Sequence, residues 1–155
     1  MKALAKLLVK SAIILNYSAA DAEDVVTVLG NRLYDAGLVK ETFVAAALTR
    51  EESMPTGLPL MGKTNAAIPH TDVEHVLKSG VAIATLTEPV VFQNMANPDE
   101  SVEVRLVFLL ALDQPKAQIE MLQEIAGVLQ NPDLIDKFME ANQPDEIIQA
   151  LNAHS

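Results

Sequence analysis

The sequence predicts a single α/β domain, with a mixed β-sheet and helices on both of its faces. Three observations predict it. The run Leu106-Val107-Phe108-Leu109-Leu110-Ala111-Leu112 has no polar position, the pattern of a central strand buried on both faces. Two long stretches with helical apolar spacing precede this run and three follow it, so helices are available to cover the sheet. The 155 residues contain no repeat and no low-complexity linker, and a chain of that length is about the size of one ordinary domain. Periodicity leaves the strand order open.

From the N-terminus, a short amphipathic start leads into a strand at Ala12 to Tyr17. Asp21 is a candidate N-cap for a helix with Val25, Val28, Leu29 and Leu33 on its apolar face, closed by Gly37. A second helix is expected over Glu41 to Ser53, with Phe43, Val44, Ala47 and Leu48 at helical spacing, ended by Met54-Pro55-Thr56-Gly57. Gly57, Pro59, Gly62 and Pro69 then break the chain into short strands and loops. A brief helix at Asp72 to Lys78 should lead into a strand at Val81 to Leu86. Val90-Val91-Phe92 forms an adjacent strand across a turn at Thr87-Glu88-Pro89. Beyond the polar loop Asn97-Pro98-Asp99-Glu100 comes the central strand, Val102 to Leu112. Three helices follow: Lys116 to Leu129, Pro132 to Glu140 and Pro144 to Leu151, the last two opened by prolines suited to a first helical turn.

Composition narrows the function. Half the residues are apolar and 21% charged, which is globular rather than disordered. A net charge of −10 argues against nucleic acid, whose binding needs Lys and Arg to displace counterions. It also disfavours anionic lipid and suits a basic-faced protein partner. The absence of cysteine excludes disulfides, thiolate metal sites and cysteine nucleophiles, and it fits a reducing compartment. Lys6 and Lys10 interrupt the apolar start as a signal peptide would not tolerate, so those residues are expected in the mature protein. The longest uncharged apolar stretches, Val81 to Thr87 and Leu106 to Leu112, are too short to cross a bilayer as helices. A soluble chain without direct membrane insertion is expected.

Only three histidines are available for phosphoryl, metal or acid–base chemistry. His154 lies in the terminal tail and is expected to fray. His75, among Asp72 and Glu74, is expected to face solvent. His70 follows Pro69 in a restricted loop backbone that can hold its ring toward the surface. A metal site from His70, Asp72, Glu74 and His75 is disfavoured. Residues five apart on a helix lie about 140° apart, unlike the same-face pair of His-Glu-x-x-His. No metal and no cofactor are therefore expected. Neither a Gly-x-Ser-x-Gly elbow nor a phosphate-binding glycine loop occurs. Taken alone, Ile68-Pro69-His70 fits either a reactive or a structural histidine.

Order and spacing add to this. Arg50-Glu51, then Thr56-Gly57, then Ile68-Pro69-His70-Thr71, then Leu109-Leu110-Ala111-Leu112-Asp113 together resemble the mannitol/fructose-type enzyme IIA family of the phosphoenolpyruvate-dependent sugar phosphotransferase system, over nearly the whole chain. The resemblance implies the mannitol/fructose-type IIA fold and a cytoplasmic phosphocarrier. By it, His70 accepts a phosphoryl group from the phosphohistidine of HPr and passes it to a IIB component, the membrane IIC permease being reached only indirectly. Arg50 then helps hold the phosphoryl group, although a helix-end ion pair with Glu51 or Glu52 is the plainer role for it. Many members carry a second histidine where this chain has Gln118, whose amide can donate to a phosphoryl oxygen but cannot become cationic. Gln118 and Asn131-Pro132-Asp133 resemble the galactitol-type branch, which implies galactitol or a related polyol as the sugar transported.

The chemistry is consistent with the resemblance, because an imidazole with a pKa of about 6.5 is largely neutral and nucleophilic near pH 7. Attack through Nε2 requires the proton on Nδ1, anchored by a local acceptor. An apolar docking surface at Leu58, Leu60 and Met61 is expected, although the three serve equally well as core. Two other functions stay open: a regulatory protein of the same fold whose phosphorylation state controls partners, and a binding domain in which His70 is structural.

Overall fold

The uninterrupted apolar run occupies the middle strand of a five-stranded sheet. The structure is a computed structural model and describes residues 2–154. The chain opens with α1 (Lys2–Leu7), β1 (Leu8–Tyr17), α2 (Ala22–Asp35) and α3 (Phe43–Ser53), followed by the short strands β2 (Gly57–Leu58) and β3 (Asn65–Ala67). Two long strands, β4 (Gly80–Gln93) and β5 (Ser101–Ala111), then precede α4 (Pro115–Leu129), α5 (Pro132–Glu140) and α6 (Pro144–Ala153). The sheet order is β1-β4-β5-β3-β2. β1 is parallel to β4, β4 antiparallel to β5, β5 parallel to β3 and β3 antiparallel to β2, so the sheet is mixed as expected.

Alternation along β5 divides the core. Leu106, Phe108 and Leu110 pack with Leu4 of α1, Met121 and Ile125 of α4, Phe138 of α5 and Ile147 of α6. Val107, Leu109 and Ala111 face the other way, toward Val25 and Leu29 of α2 and Phe43 and Ala47 of α3. A strand sandwiched in this way has no face that tolerates a polar side chain. Local chemistry sets several boundaries. The Asp21 side chain accepts the Asp24 N–H and caps α2, and Gly37 takes the positive φ of +80° that ends the turn after it.

Several segments depart from expectation. Thr87-Glu88-Pro89 makes no turn between two strands: β4 runs through it. Thr85 pairs with Leu106 and Val90 with Val104, so residues 86–89 of β4 stand opposite Arg105 alone. Residues 87–89 are exposed, and Pro89, with no N–H to give a ladder, is accommodated in this irregular stretch. The Arg105 Nε–H donates to the Leu86 carbonyl at 3.0 Å. The irregularity also switches faces, since Val104 packs with the α2–α3 side and Leu106 with the opposite side.

The helix expected at Asp72 to Lys78 is only a 3-10 turn, Val73–His75. Val76 leaves it extended because it bridges Val39, and Leu77 N–H donates to the Leu38 carbonyl. β1 begins at Leu8 rather than Ala12, through the pairing of Leu8 with Val81. His154 is tied by its Nε2, 2.8 Å from Asn131 Nδ2, and not left to fray.

Gly57 marks a tight approach beside the site. A Cβ there would lie 2.6 Å from the Gln93 carbonyl oxygen and 3.1 Å from the Phe92 Cβ. Gly57→Ala is expected to destabilise the fold by about 1–3 kcal/mol, the usual range for overpacking, seen as a lower urea midpoint. An unchanged midpoint would show that residues 92 and 93 can move aside.

Candidate functional site

β3 ends at Ala67, yet the chain continues beside β5. The Leu110 N–H donates to the Pro69 carbonyl at 3.0 Å, and His70 bridges Leu110 in parallel. The proline ring fixes φ at residue 69 and biases Ile68 toward extended backbone, so the segment stays straight until it reaches the C-terminal end of β5. His70 is consequently only 9% exposed. The sequence expectation of a ring held out at the surface is corrected: its backbone follows the buried central strand, and the ring is largely enclosed.

His70 Nδ1 lies 2.9 Å from the Ile68 carbonyl oxygen. A carbonyl can only accept, so Nδ1 carries the proton and Nε2 keeps its lone pair. Burial pushes the pKa of His70 below 6.5; the Ile68 hydrogen bond opposes this, the Arg50 charge adds to it and the Asp72 charge opposes it. The net effect is a neutral imidazole with one free nitrogen at physiological pH.

Arg50 stands in the last turn of α3. Its Nη1 is 3.9 Å from Asp72 Oδ1, whereas Glu51 turns its carboxylate to Thr56. The helix-end pairing of Arg50 with Glu51 or Glu52 is therefore replaced by a loose contact across to the loop after His70. The Arg50 Nε is buried and has no hydrogen-bond partner among the described residues. Arg50, Thr49, Thr42, Thr71, Asp72 and His75 line a cavity of about 490 Å³. His75, expected to face solvent, is half-buried, with Nδ1 2.7 Å from Thr42 Oγ1.

Gln118, in the first turn of α4, donates its amide to the Thr71 carbonyl at 3.0 Å. One of its two N–H groups is thus committed next to His70. Arg50, His70 and Gln118 come from three separate elements and converge on the segment 70–72. Leu58 and Leu60 pack partly against the core, while Met61 is fully exposed. The sequence alone offers Asp72 only as a disfavoured metal ligand, Glu51 as a family mark and an ion-pair alternative for Arg50, and Thr56 as a family mark within a helix stop. The Arg50–Asp72 and Thr56–Ile68 contacts depend on how the chain after α3 folds back, which no local pattern encodes.

Among the described residues, no group of three or more His, Cys, Asp or Glu is placed to hold a metal ion, and no helix is long and apolar enough to cross a membrane. The family described as "Phosphoenolpyruvate-dependent sugar phosphotransferase system, EIIA 2" matches residues 6–154. The chain belongs to that EIIA family.

Among its relatives is the galactitol-specific EIIA component of Escherichia coli K12, 33% identical over 122 residues, covering 79% of this chain and 80% of that one. The crystal structure of IIA mannitol from Escherichia coli is similar with a TM-score of 0.75 and 28% identity, covering 93% of this chain and 98% of that one. An NMR structure of enzyme IIA mannitol in complex with phosphorylated enzyme IIB mannitol, also from Escherichia coli, is similar with a TM-score of 0.75 and 27% identity, over 94% and 97% of the two chains. The EIIA fold expected from the sequence is the one observed.

The enclosed EIIA imidazole gives a pH prediction. The folded chain disfavours the His70 cation, so its contribution to stability is complete above pH 6.5 and is lost as pH falls through the lowered folded value. An NMR titration of the ring nitrogens should give a midpoint below 6.5, with the proton on Nδ1 above it. A midpoint above 6.5 would reject the enclosed-ring account.

Proposed function

We propose that this EIIA protein is a cytoplasmic phosphocarrier of sugar uptake that accepts a phosphoryl group from phospho-HPr on His70 and delivers it to a IIB component. The observation that carries this reading is the Nδ1–H bond to the Ile68 carbonyl, which leaves Nε2 as the nucleophile. In the forward step the Nε2 lone pair forms a bond to phosphorus while the phosphorus–nitrogen bond of the donor phosphohistidine breaks, and that electron pair returns to the donor imidazole. The second step reverses these roles toward IIB. Such transfers depend on in-line positioning and charge stabilisation rather than on a strong base.

Arg50 supplies the charge. Its buried, unpartnered Nε and its loose contact with Asp72 leave donors for the equatorial phosphoryl oxygens. Gln118, with one N–H on the Thr71 carbonyl, contributes its other N–H. The partners are proteins, the IIC permease being served through IIB, with no nucleic acid and no direct membrane insertion. The 33% identity to a galactitol-specific component supports galactitol or a related polyol as the sugar transported.

Incubation with phosphoenolpyruvate, enzyme I and HPr should place acid-labile phosphate on the wild type and none on His70→Ala; equal labelling of both would sink the assignment. Arg50→Ala should fold normally and transfer about 10²-fold more slowly, the scale for losing a donor to developing charge. Unchanged rapid-quench kinetics would remove Arg50 from the mechanism. Phosphate should pass faster to a galactitol-type IIB than to a mannitol-type IIB, and the opposite order would overturn the sugar assignment.

A further inference from the structure

We propose that Glu51 is a positioning residue for His70, acting through Thr56 to fix the Ile68 backbone that accepts the Nδ1 proton. The proposal deepens the phosphocarrier reading and takes its functional meaning from it. Its basis is a continuous series of hydrogen bonds. Glu51 Oε2 accepts the Thr56 N–H at 2.7 Å and Oε1 accepts the Thr56 hydroxyl at 2.8 Å. The Ile68 N–H donates to Thr56 Oγ1 at 3.2 Å and to the Thr56 carbonyl at 3.4 Å. The Ile68 carbonyl accepts His70 Nδ1–H at 2.9 Å. Thr56 is 2% exposed and Ile68 6%, so the middle of the series is sealed from solvent, where a fixed polar geometry counts most.

The direction of the series depends on the charge of Glu51. A threonine hydroxyl has one hydrogen. With Glu51 ionised, both carboxylate oxygens accept, the Thr56 hydrogen points to Oε1, and Oγ1 is free to receive the Ile68 N–H. A proton on Oε1 would point at Oγ1 instead, and the Thr56 hydrogen would be forced away from Glu51. Oγ1 would keep its second lone pair for the Ile68 N–H, but the hydroxyl would be reoriented, and with it the setting of Ile68 and of the Nδ1 acceptor.

Burial pushes the Glu51 carboxyl up to about 7, against the two Thr56 hydrogen bonds and the Arg50 charge, which pull it down. The charged groups around it are Arg50 on one side in the chain, Glu52 on the other, and Glu23 of α2, which shares with Glu51 and Glu52 a cavity of about 440 Å³. The adjoining segments 55–57, 67–69 and 91–93 contain no titratable side chain.

The linkage is informative. A carboxyl raised from 4.5 to about 7 contributes stability that is full below pH 4.5 and is lost as pH rises through about 7. The ionised form that aligns Thr56 is therefore the less stable one. Near pH 7 the ionised and protonated forms are both populated, so the alignment of Thr56 is sensitive to pH in that range.

The test compares Glu51→Gln, Thr56→Val and Thr56→Ser with wild type by NMR of the His70 ring nitrogens in the unphosphorylated protein, and by the rate of phosphoryl transfer from phospho-HPr. Wild type should show the His70 titration and a second inflection at about 7. Glu51→Gln should abolish the second inflection and populate the Nε2–H tautomer. It should slow transfer about tenfold, within the range for small misplacements of reacting groups. Thr56→Val should reproduce the tautomer and rate changes, and Thr56→Ser, which retains the hydroxyl, should restore them.

A ring whose tautomer and titration are the same in wild type, Glu51→Gln and Thr56→Val would overturn the proposal. If Glu51→Gln fails to fold, the Val and Ser pair at position 56 decides it by the same readout. A wild type that takes no phosphate while its ring responds to Glu51→Gln would sink the phosphocarrier reading and support the positioning role.

Discussion

The hydrogen bond from the Leu110 N–H to the Pro69 carbonyl holds residues 68–70 against the middle strand after β3 has ended. Everything at the candidate site depends on it. It carries His70 to the C-terminal end of β5, where α4 begins four residues beyond Ala111 and brings Gln118 to Thr71. It also encloses the ring. Because β5 is buried on both faces by two separate clusters, the histidine is mounted on the most constrained part of the molecule. That rigidity suits a group whose task is alignment.

Enclosure has electrostatic consequences of opposite kinds. For His70, burial favours the neutral ring, the form with a free lone pair. For Glu51, burial opposes the charge that Thr56 requires, so the carboxyl titrates close to neutrality. Arg50 cannot shed its charge, and among the described residues its ion pair is with Asp72, at 3.9 Å. A buried, unpaired donor costs about 1–3 kcal/mol, and no hydrogen bond among the described residues offsets it at Arg50. Under the proposed function an incoming phosphoryl oxygen does.

The acidic character of the chain fits the same picture. A net charge of −10 leaves little attraction for polyanions and favours encounter with a basic-faced protein. The fully exposed Met61 and the largely exposed Ile119 of α4 add apolar surface of the kind found at the centre of transient interfaces.

By itself the sequence determined the layered α/β class, the central strand and most helix boundaries. These follow from local rules: the alternation-free run of β5, the Asp21 cap, Gly37 and the prolines opening α5 and α6 are all read within a few residues. It also singled out His70, Arg50 and Gln118, through the order of family motifs rather than any spacing law. Only the tertiary structure decided that Thr87-Glu88-Pro89 stays in the sheet, that His70 is enclosed, that Arg50 faces Asp72 and that Glu51 reaches His70 through Thr56 and Ile68. The physical reason is common to all four. Each involves a neighbour distant along the chain, β5 for the first two, Asp72 for Arg50 and Ile68 for the link that starts locally at Glu51 and Thr56, and such pairings leave no periodic trace. His70 was therefore legible as the residue to watch, with a local acceptor expected for its Nδ1 proton, while the identity of that acceptor, the Ile68 carbonyl, came only from the tertiary structure.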